Sequence, residues 1–481
     1  MLLEEELKPI TIKELLKMNN LKIPYYQRPY KWTERNVNQL IDDILFHKDK
    51  QGYRLGTLVL HYDNDNFNIV DGQQRTITIF LLAYALSKAK KLPNDIKVDF
   101  SNLEFIPDNT ISKDNIIINY DVIKKRINEF DNAKIDFLLN KCELVKVVIG
   151  EENIQYGRDS SLSEAFQFFD SQNARGKALE PHDLLKAFHL REMNDFSTED
   201  EKKKVVEQWE KIDSTELNIL FNNYLFKIKK WIRGETAGKS FTKKDIDIFK
   251  GVTIEAKEMQ NYPFIKPSKI NNYYVNTNKE LGQVENLSID YPFQIDQIVI
   301  NGKRFFEMVI HYNKLRKYIE NIENTENELN NGIKNYIKNI HKEAIDILDK
   351  IDNYEGRYRI GDKYIRNLFN CALFYYIDKF GKVDLEEAIK KIFIWAYTLR
   401  LENKSVFLAS VDNIAKSKES FFSKNYYAIN HKEILNWHLN SIKKEYIIKD
   451  SEKDKEKGID VVATKVDSIK DLFKELEYVK Q

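Results

Sequence analysis

The chain has 481 residues, of which 42% are hydrophobic and 31% are charged, and its net charge is +1. This composition excludes a disordered chain and a uniformly basic nucleic-acid-coating protein, and the length allows two or three domains with separate cores. No run of 18 apolar residues and no apolar signal segment occurs, so we expect no membrane span and a cytoplasmic location. Two isolated cysteines, Cys142 and Cys371, fit core positions in a reducing compartment.

A short helix and a stiff segment open the chain. Residues 11–18 predict an amphipathic helix, and residues 24–32 follow as Pro-Tyr-Tyr-Gln-Arg-Pro-Tyr-Lys-Trp. The two prolines favour an extended backbone, and Arg28 is kept out of the helical region because it precedes a proline. We therefore expect this segment to aim the Arg28 guanidinium at a ligand. Stacking of Arg28 on a neighbouring aromatic ring is the alternative.

A strand pair leading into an apolar helix is the most informative pattern. Residues 53–62 and 67–70 predict two strands, and the following helix is almost entirely apolar from residue 77 to residue 86. We expect this helix to begin at Asp71, with Asp71 and Gln74 forming a capping box. Gly72 permits close approach of a ligand, and an anion would stabilise Arg75 in the first turn. A helix cap without further function is the alternative reading.

The next stretch predicts further mixed structure. Residues 96–105 give a weak strand pattern, residues 122–139 a helix, and residues 143–149 an apolar strand. A phenylalanine-rich helix then begins near residue 161, and another helix starts at Pro181 and runs to residue 191. The first third of the chain is therefore mixed α and β.

The loop between those two helices carries polar and basic residues. Asn173 and Gly176 tolerate a left-handed backbone, and Arg175 and Lys177 supply hydrogen-bond donors. We expect this loop to bind phosphate or a carboxylate, and we expect Asn173 to lie within about 15 Å of Arg75. A simple helix reversal is the alternative.

The remaining chain predicts a helical array. All nine prolines lie at or before Pro292, and helical periodicity follows. The periodic segments are residues 305–319, 333–351, 365–380, 385–401 and, after a charged run at 449–458, 466–478. Residues 426–442 predict one helix carrying His431 and His438 on the same face, about 10 Å apart.

Familiar nucleotide and metal motifs are missing from the sequence. It contains no phosphate-binding loop of the Walker type, no dinucleotide fingerprint and no zinc cluster, so we predict no metal ligands. His61, His182 and His189 stand apart from cysteine or carboxylate motifs, and we interpret them as structural.

Three segments together resemble a known family. Residues 24–32, residues 70–75 (Val-Asp-Gly-Gln-Gln-Arg) and residues 166–186, with the Asn-x-x-Gly-x-x-Leu core at Asn173, are similar to the N-terminal domain of GmrSD-type restriction endonucleases, also called domain of unknown function 262. Residues 301–306 (Asn-Gly-Lys-Arg-Phe-Phe) resemble the helical region that follows in that family.

The resemblance implies an α+β fold. It places a ParB/sulfiredoxin-like nucleotide-binding domain at residues 1–195, a helical linker region at 196–300 and an α-helical C-terminal domain at 301–481. It also implies a nucleoside triphosphate as ligand, with or without Mg²⁺, and NTP hydrolysis in bacterial defence against foreign or modified DNA.

The matching positions give the candidate site residues. Asp71, Gln74 and Arg75 are the candidate catalytic residues. The candidate nucleotide-binding residues are Arg28, Gly72, Gln73, Asn173, Arg175, Gly176 and Lys177.

One departure from the family concerns the nuclease. Many relatives end in an HNH-type domain in which histidines bind a metal and activate water. His431 and His438 lack that frame, so we expect DNA cleavage to depend on something outside these histidines, for example a partner nuclease subunit. DNA is then contacted directly or through that partner, and a homo-oligomer is possible. A nuclease in its own right and a non-enzymatic scaffold are the two alternative functions.

Overall fold

In the computed structural model, the chain forms two compact units. Unit 1 comprises residues 1–179 and 199–211, and unit 2 comprises residues 180–198 and 212–481. The residues that the structure describes are 7–18, 20–24, 27, 29–63, 65–96, 98, 110–149, 180–193, 197–256, 259, 262–285, 291–322, 332–337, 342–403, 405–443, 446 and 466–479. The predicted functional boundaries at residues 195 and 300 stay predictions.

Unit 1 contains a five-stranded mixed sheet. Its strands are β1 (Leu7–Thr11), β2 (Leu21–Lys22), β3 (Tyr53–Asp63), β4 (Asn66–Asp71) and β5 (Cys142–Ile149). They lie in the order β1-β5-β3-β4-β2, with β1 antiparallel to β5, β5 parallel to β3, β3 antiparallel to β4, and β4 parallel to β2. The register between β3 and β5 shifts between Arg54 and Gly56, which marks a bulge. The predicted strands at 53–62, 67–70 and 143–149 are confirmed.

Helices cover this sheet. They are α1 (Ile12–Leu16), α2 (Glu34–Phe46), α3 (Gln73–Lys88), α4 (Thr110–Arg126) and α5 (Asn132–Asn140). Helix α3 is buried on nearly every side, as its apolar sequence predicts, and it packs with the inward faces of α2, α4 and β3 in the main core. Cys142 is part of this core.

One predicted helix is broken. The segment 122–139 ends a first helix at Arg126, passes through a 3₁₀ turn at Ile127–Glu129, and begins again at Asn132. Asp131 caps the new helix by accepting a hydrogen bond from the Lys134 amide at 2.9 Å. The strand pattern at 96–105 lies almost wholly outside the described residues.

Unit 2 is built from helices, and the prediction of a mainly helical region after an α+β region is confirmed. In chain order its helices are α6 (Pro181–Arg191), α8 (Ser214–Ile219), α9 (Phe226–Ile232), α10 (Lys266–Glu285), α11 (Lys303–Ile319), α12 (Ile333–Ile337), α13 (Lys342–Asn353), α14 (Ile360–Phe380), α15 (Leu385–Glu402), α16 (Leu408–Ala415), α17 (Phe421–Tyr427), α18 (His431–Leu435) and α19 (Asp467–Glu475). Helix α7 (Glu199–Glu210) belongs to unit 1, and a π-helical turn (Leu220–Leu225) joins α8 to α9. Within the described ranges no helix is both long and apolar enough to cross a bilayer.

A backbone clasp joins two distant stretches of unit 2. Asn301 accepts a hydrogen bond from the Gly251 amide at 2.8 Å and donates to the Gly251 carbonyl at 3.2 Å. Next to it, the Val252 amide donates to the Val299 carbonyl at 2.9 Å. His189 stacks on Phe305 at 3.6 Å between ring centroids and accepts from the Gly302 amide. The 301–306 motif is therefore an anchor for helix α11, and His189 has the structural role predicted for it.

The expected helix across residues 426–442 is wrong. Helix α17 ends at Tyr427, and α18 starts at His431 after Asn430, which caps it by accepting from the Lys432 amide at 2.9 Å. Asn430 and Glu433 form a capping box that the sequence already contains. His431 is bonded through Nε2 to Asp384 Oδ2 at 2.9 Å.

A buried carboxyl group in unit 2 makes the stability depend on pH. Burial raises the pKa of Asp378 to about 7, although its Oδ2 accepts from the Ile295 amide at 2.9 Å. The folded chain therefore binds a proton that the unfolded chain has lost between pH 4 and 7, so this contribution to stability falls as the pH rises through that window.

We expect Asp378→Asn to remove that slope. The amide oxygen can still accept from Ile295, and no charge needs to be buried at pH 8, so the variant should gain on the order of 4 kcal/mol relative to wild type between pH 4 and pH 8. Urea denaturation at both pH values measures this difference. If the variant and the wild type differed in unfolding free energy by the same amount at pH 4 and at pH 8, this prediction would be contradicted.

Candidate functional site

The turn from β4 into helix α3 brings several predicted site residues together. Asp71 ends β4 and lies opposite Val59 of β3. Gly72 follows with φ 92°, and a Cβ there would lie 2.9 Å from the carbonyl oxygen of Thr57, so the turn requires glycine. The Gly72 carbonyl accepts from the amide and the hydroxyl of Thr76, both at 2.9 Å. We call residues 71–75 the Asp71–Arg75 turn.

The Gln74 side chain holds the extended segment that precedes α2. Its Oε1 accepts from the amides of Lys31 at 2.7 Å and Trp32 at 3.2 Å, and its Nε2 donates to the Pro29 carbonyl at 3.0 Å. On the other side of Arg28, Gln27 donates to the Val70 carbonyl at 2.7 Å. Gln74 therefore fixes backbone atoms 42 to 45 residues away.

The same segment is pinned by a buried tyrosine. Tyr30 is fully buried, and its hydroxyl is bonded to the Thr78 hydroxyl at 2.7 Å and accepts from Asn119 Nδ2 at 3.1 Å. The Tyr30 amide donates to Ser112 Oγ at 2.8 Å. Helices α3 and α4 thus hold this segment against the Asp71–Arg75 turn.

Arg75 lies against the bulge of β3. A Cβ on Gly56 would come within 2.6 Å of Arg75 Nη1, so the guanidinium packs directly on the glycine backbone. Within the described residues, Arg75 makes one hydrogen bond, a long one from Nη1 to the Thr57 carbonyl at 3.4 Å. Burial lowers the pKa of Arg75, and the nearby Asp71 and Tyr53 only partly oppose this effect. Within the described chain no carboxylate lies within 4 Å of it, so the cation is under-compensated.

The structure corrects one local expectation and leaves part of the site undescribed. Asp71 and Gln74 do not form a capping box, because Gly72 is the N-cap and Gln74 turns to distant backbone atoms. Gln73 is buried in the first turn of α3. The predicted site residues Arg28, Asn173, Arg175, Gly176 and Lys177 lie outside the described residues, so the expected proximity of Asn173 to Arg75 stays a prediction.

Two contributors to the site escaped the sequence reading. Gly56 and Thr57 of β3 form the surface on which Arg75 lies. A glycine inside a strand pattern signals a bulge or a close backbone approach, so Gly56 was the available signal.

We expect Gln74→Leu to destabilise unit 1. Leucine keeps a similar volume but leaves the amides of Lys31 and Trp32 and the Pro29 carbonyl without this partner, which should cost about 1 to 3 kcal/mol of unfolding free energy. Chemical denaturation measures the loss. The matched control is Gln39→Leu, which changes an exposed glutamine of α2. Equal stability of the two variants would refute the linking role of Gln74.

Comparisons with known protein families match two successive parts of the chain. The model of the GmrSD restriction endonuclease N-terminal domain matches residues 12–190. The model of a family of unknown function (DUF7834) matches residues 201–456, which is more than half of the chain. No curated protein and no solved structure matches. The predicted family resemblance is confirmed: the chain belongs to the DUF7834 family and carries a GmrSD-type N-terminal domain.

Proposed function

We propose that this chain is an NTP-binding and NTP-hydrolysing regulatory or sensor component of a DNA restriction system. The GmrSD-type N-terminal domain indicates a component of a restriction system and hence an interaction with DNA. The finer assignment to a nucleoside triphosphate depends on the Asp71–Arg75 turn.

The observation that supports nucleotide binding most strongly is the environment of Arg75. A guanidinium has five N–H donors, yet Arg75 makes one long hydrogen bond and no ion pair within the described residues. Burial disfavours its charge, and Asp71 compensates only in part. A phosphate group beside Arg75 would supply both hydrogen-bond acceptors and negative charge.

The start of helix α3 supports the same ligand. The first amides of a helix have no intrahelical acceptors, and the helix dipole attracts anions there. Gly72 adds no side chain to this turn. We assign phosphate binding to Arg75 and to the backbone of Gly72 and Gln73, and proton transfer or water activation to the Asp71 carboxylate. Gln74 acts as a positioning residue, because its side-chain amide bonds to the backbone on the C-terminal side of Arg28, at Pro29, Lys31 and Trp32.

Calorimetric titration with ATP, CTP, GTP and UTP, with and without magnesium, tests the proposal. Saturable binding of at least one nucleotide, followed by phosphate release, is the expected result. No binding of any nucleotide at millimolar concentration would favour a non-enzymatic scaffold.

DNA cleavage by this chain alone is not expected. His431 is bonded to Asp384, and among the described residues no group of three or more metal-ligating side chains could hold an ion next to it. Purified protein should therefore leave plasmid DNA intact with magnesium, manganese or nickel, with or without NTP. Cutting that disappears in His431→Ala or His438→Ala would show instead that the chain is a nuclease.

A further inference from the structure

Unit 2 contains a polar pocket that the proposed function does not use. The pocket has a volume of about 460 Å³, and it lies where helix α9, the 3₁₀ helix Lys243–Phe249 and residues 296–299 meet. Five cations line it: Lys229, Lys230, Arg233, Lys244 and Lys250. Three carboxylates, those of Asp245, Asp247 and Asp296, line it as well. This volume is within the range of pockets that hold small ligands.

The carboxylates are already engaged. Asp245 accepts from the amide of Thr242 at 3.0 Å and from its hydroxyl at 2.6 Å. Asp247 pairs with Lys250 at 2.7 Å. Asp296 accepts from the Tyr375 hydroxyl at 2.8 Å. Their negative charge is thus partly satisfied before any ligand enters.

Three cations of the pocket remain under-compensated. Lys229 is only 6% exposed, and its ammonium makes one hydrogen bond in the described chain, to the Gln297 carbonyl at 3.0 Å, although an ammonium can donate three. Arg233 and Lys244 are exposed, and no carboxylate of the described residues lies within 4 Å of either. A buried cation and two unpaired cations therefore share one pocket.

The electrostatics of Lys229 agree with this geometry. Burial and, to a smaller extent, the nearby Arg233 lower the pKa of Lys229 to about 8, although Asp296 and Asp378 act in the opposite direction. The charged ammonium is therefore poorly solvated. An anion in the pocket would replace the lost solvation.

We propose that this pocket binds the phosphate group of a ligand, with Lys229 at its base and Arg233 and Lys244 at its rim. Oxyanions of phosphate accept several charge-assisted hydrogen bonds at once, which these cations can donate. The phosphate comes either from a free nucleotide or from the backbone of a DNA strand. The site shares no residue with the Asp71–Arg75 turn and gives the DUF7834 part of the chain a ligand-binding role.

The test uses the full chain with Arg75→Met, so that binding at the nucleotide site proposed in unit 1 is weakened. Inorganic phosphate and ATP are titrated by calorimetry, and a short labelled DNA duplex is titrated by fluorescence anisotropy over a range of salt concentrations. The test variants are Lys229→Met and the exposed double variant Arg233→Gln with Lys244→Gln. Lys418→Gln, at an exposed lysine elsewhere in unit 2, is the matched control.

Either test variant should weaken binding by about tenfold or more, while the control changes little. Loss of phosphate and ATP binding identifies a free nucleotide as the source. Loss of DNA binding, with the salt slope reduced by about one for each phosphate contact removed, identifies the DNA backbone. The double variant changes only exposed side chains, so misfolding does not obscure the result. No binding of any probe, or binding that both variants leave unchanged, would overturn the proposal.

Discussion

Arg75→Met is expected to lower NTP affinity by about 1.5 to 3 kcal/mol, which is roughly ten- to a hundredfold. The guanidinium has one weak hydrogen bond of its own, so its main partner in this account is the phosphate. Methionine keeps most of the aliphatic part of the side chain and removes a poorly compensated buried charge. The ligand-free variant should therefore be as stable as wild type or slightly more stable.

Calorimetry of NTP binding and thermal unfolding with and without NTP together measure this effect. Wild type should gain thermal stability from the nucleotide, and Arg75→Met should lose most of that gain. Arg54→Ala is the matched control, because Arg54 is an exposed arginine of the same strand as Gly56. Wild-type affinity in the Arg75→Met variant would remove Arg75 from the binding site.

Gly251→Ala is expected to destabilise unit 2 by on the order of 3 kcal/mol or more. A Cβ at Gly251 would lie 1.7 Å from the Val299 carbonyl oxygen, so the two backbones must separate. Separation breaks the Val252 to Val299 bond and both bonds between Gly251 and Asn301. It also opens the small core of Ile254, Ile265 and Ile300.

Urea denaturation of Gly251→Ala and of a control variant measures the loss of unfolding free energy and separates it from the effect of backbone strain. Gly238→Ala is the control, because Gly238 has φ 68° but no atom within 4 Å of its added Cβ. That control should lose about 1 to 2 kcal/mol from the left-handed backbone alone. A smaller loss for Gly251→Ala than for Gly238→Ala would show that the clasp can relax.

Much of the fold could be predicted because its signals are local. The apolar stretch of β3, the apolar run of β5 and the proline at the start of α6 each lie within the element that they specify. The buried nature of α3 also follows from its own composition. The broken helices at 127–131 and 428–430 had local signals too, in the capping residues Asp131 and Asn430.

The site was harder to predict because its contacts are distant in sequence. Gln74 resembles a capping residue locally, but its partners lie 42 to 45 residues earlier in the chain. The guanidinium of Arg75 packs on Gly56. Gly56 lies on β3, which comes next to Arg75 only because β3 pairs with β4 in the sheet. In the sequence Lys229 is one of many lysines in helical segments, and only the packing of the chain buries it. No periodic pattern encodes such pairings.

Hydrogen exchange with and without nucleotide tests the central claim most directly. If phosphate binds at the start of α3, saturating NTP should slow exchange of the amides in residues 72–76 and of the segment around residues 29–32 that Gln74 holds. Arg75→Met should lose this protection under the same conditions. Saturable NTP binding that leaves the amides of residues 72–76 unprotected would contradict the assignment of the nucleotide site to the Asp71–Arg75 turn.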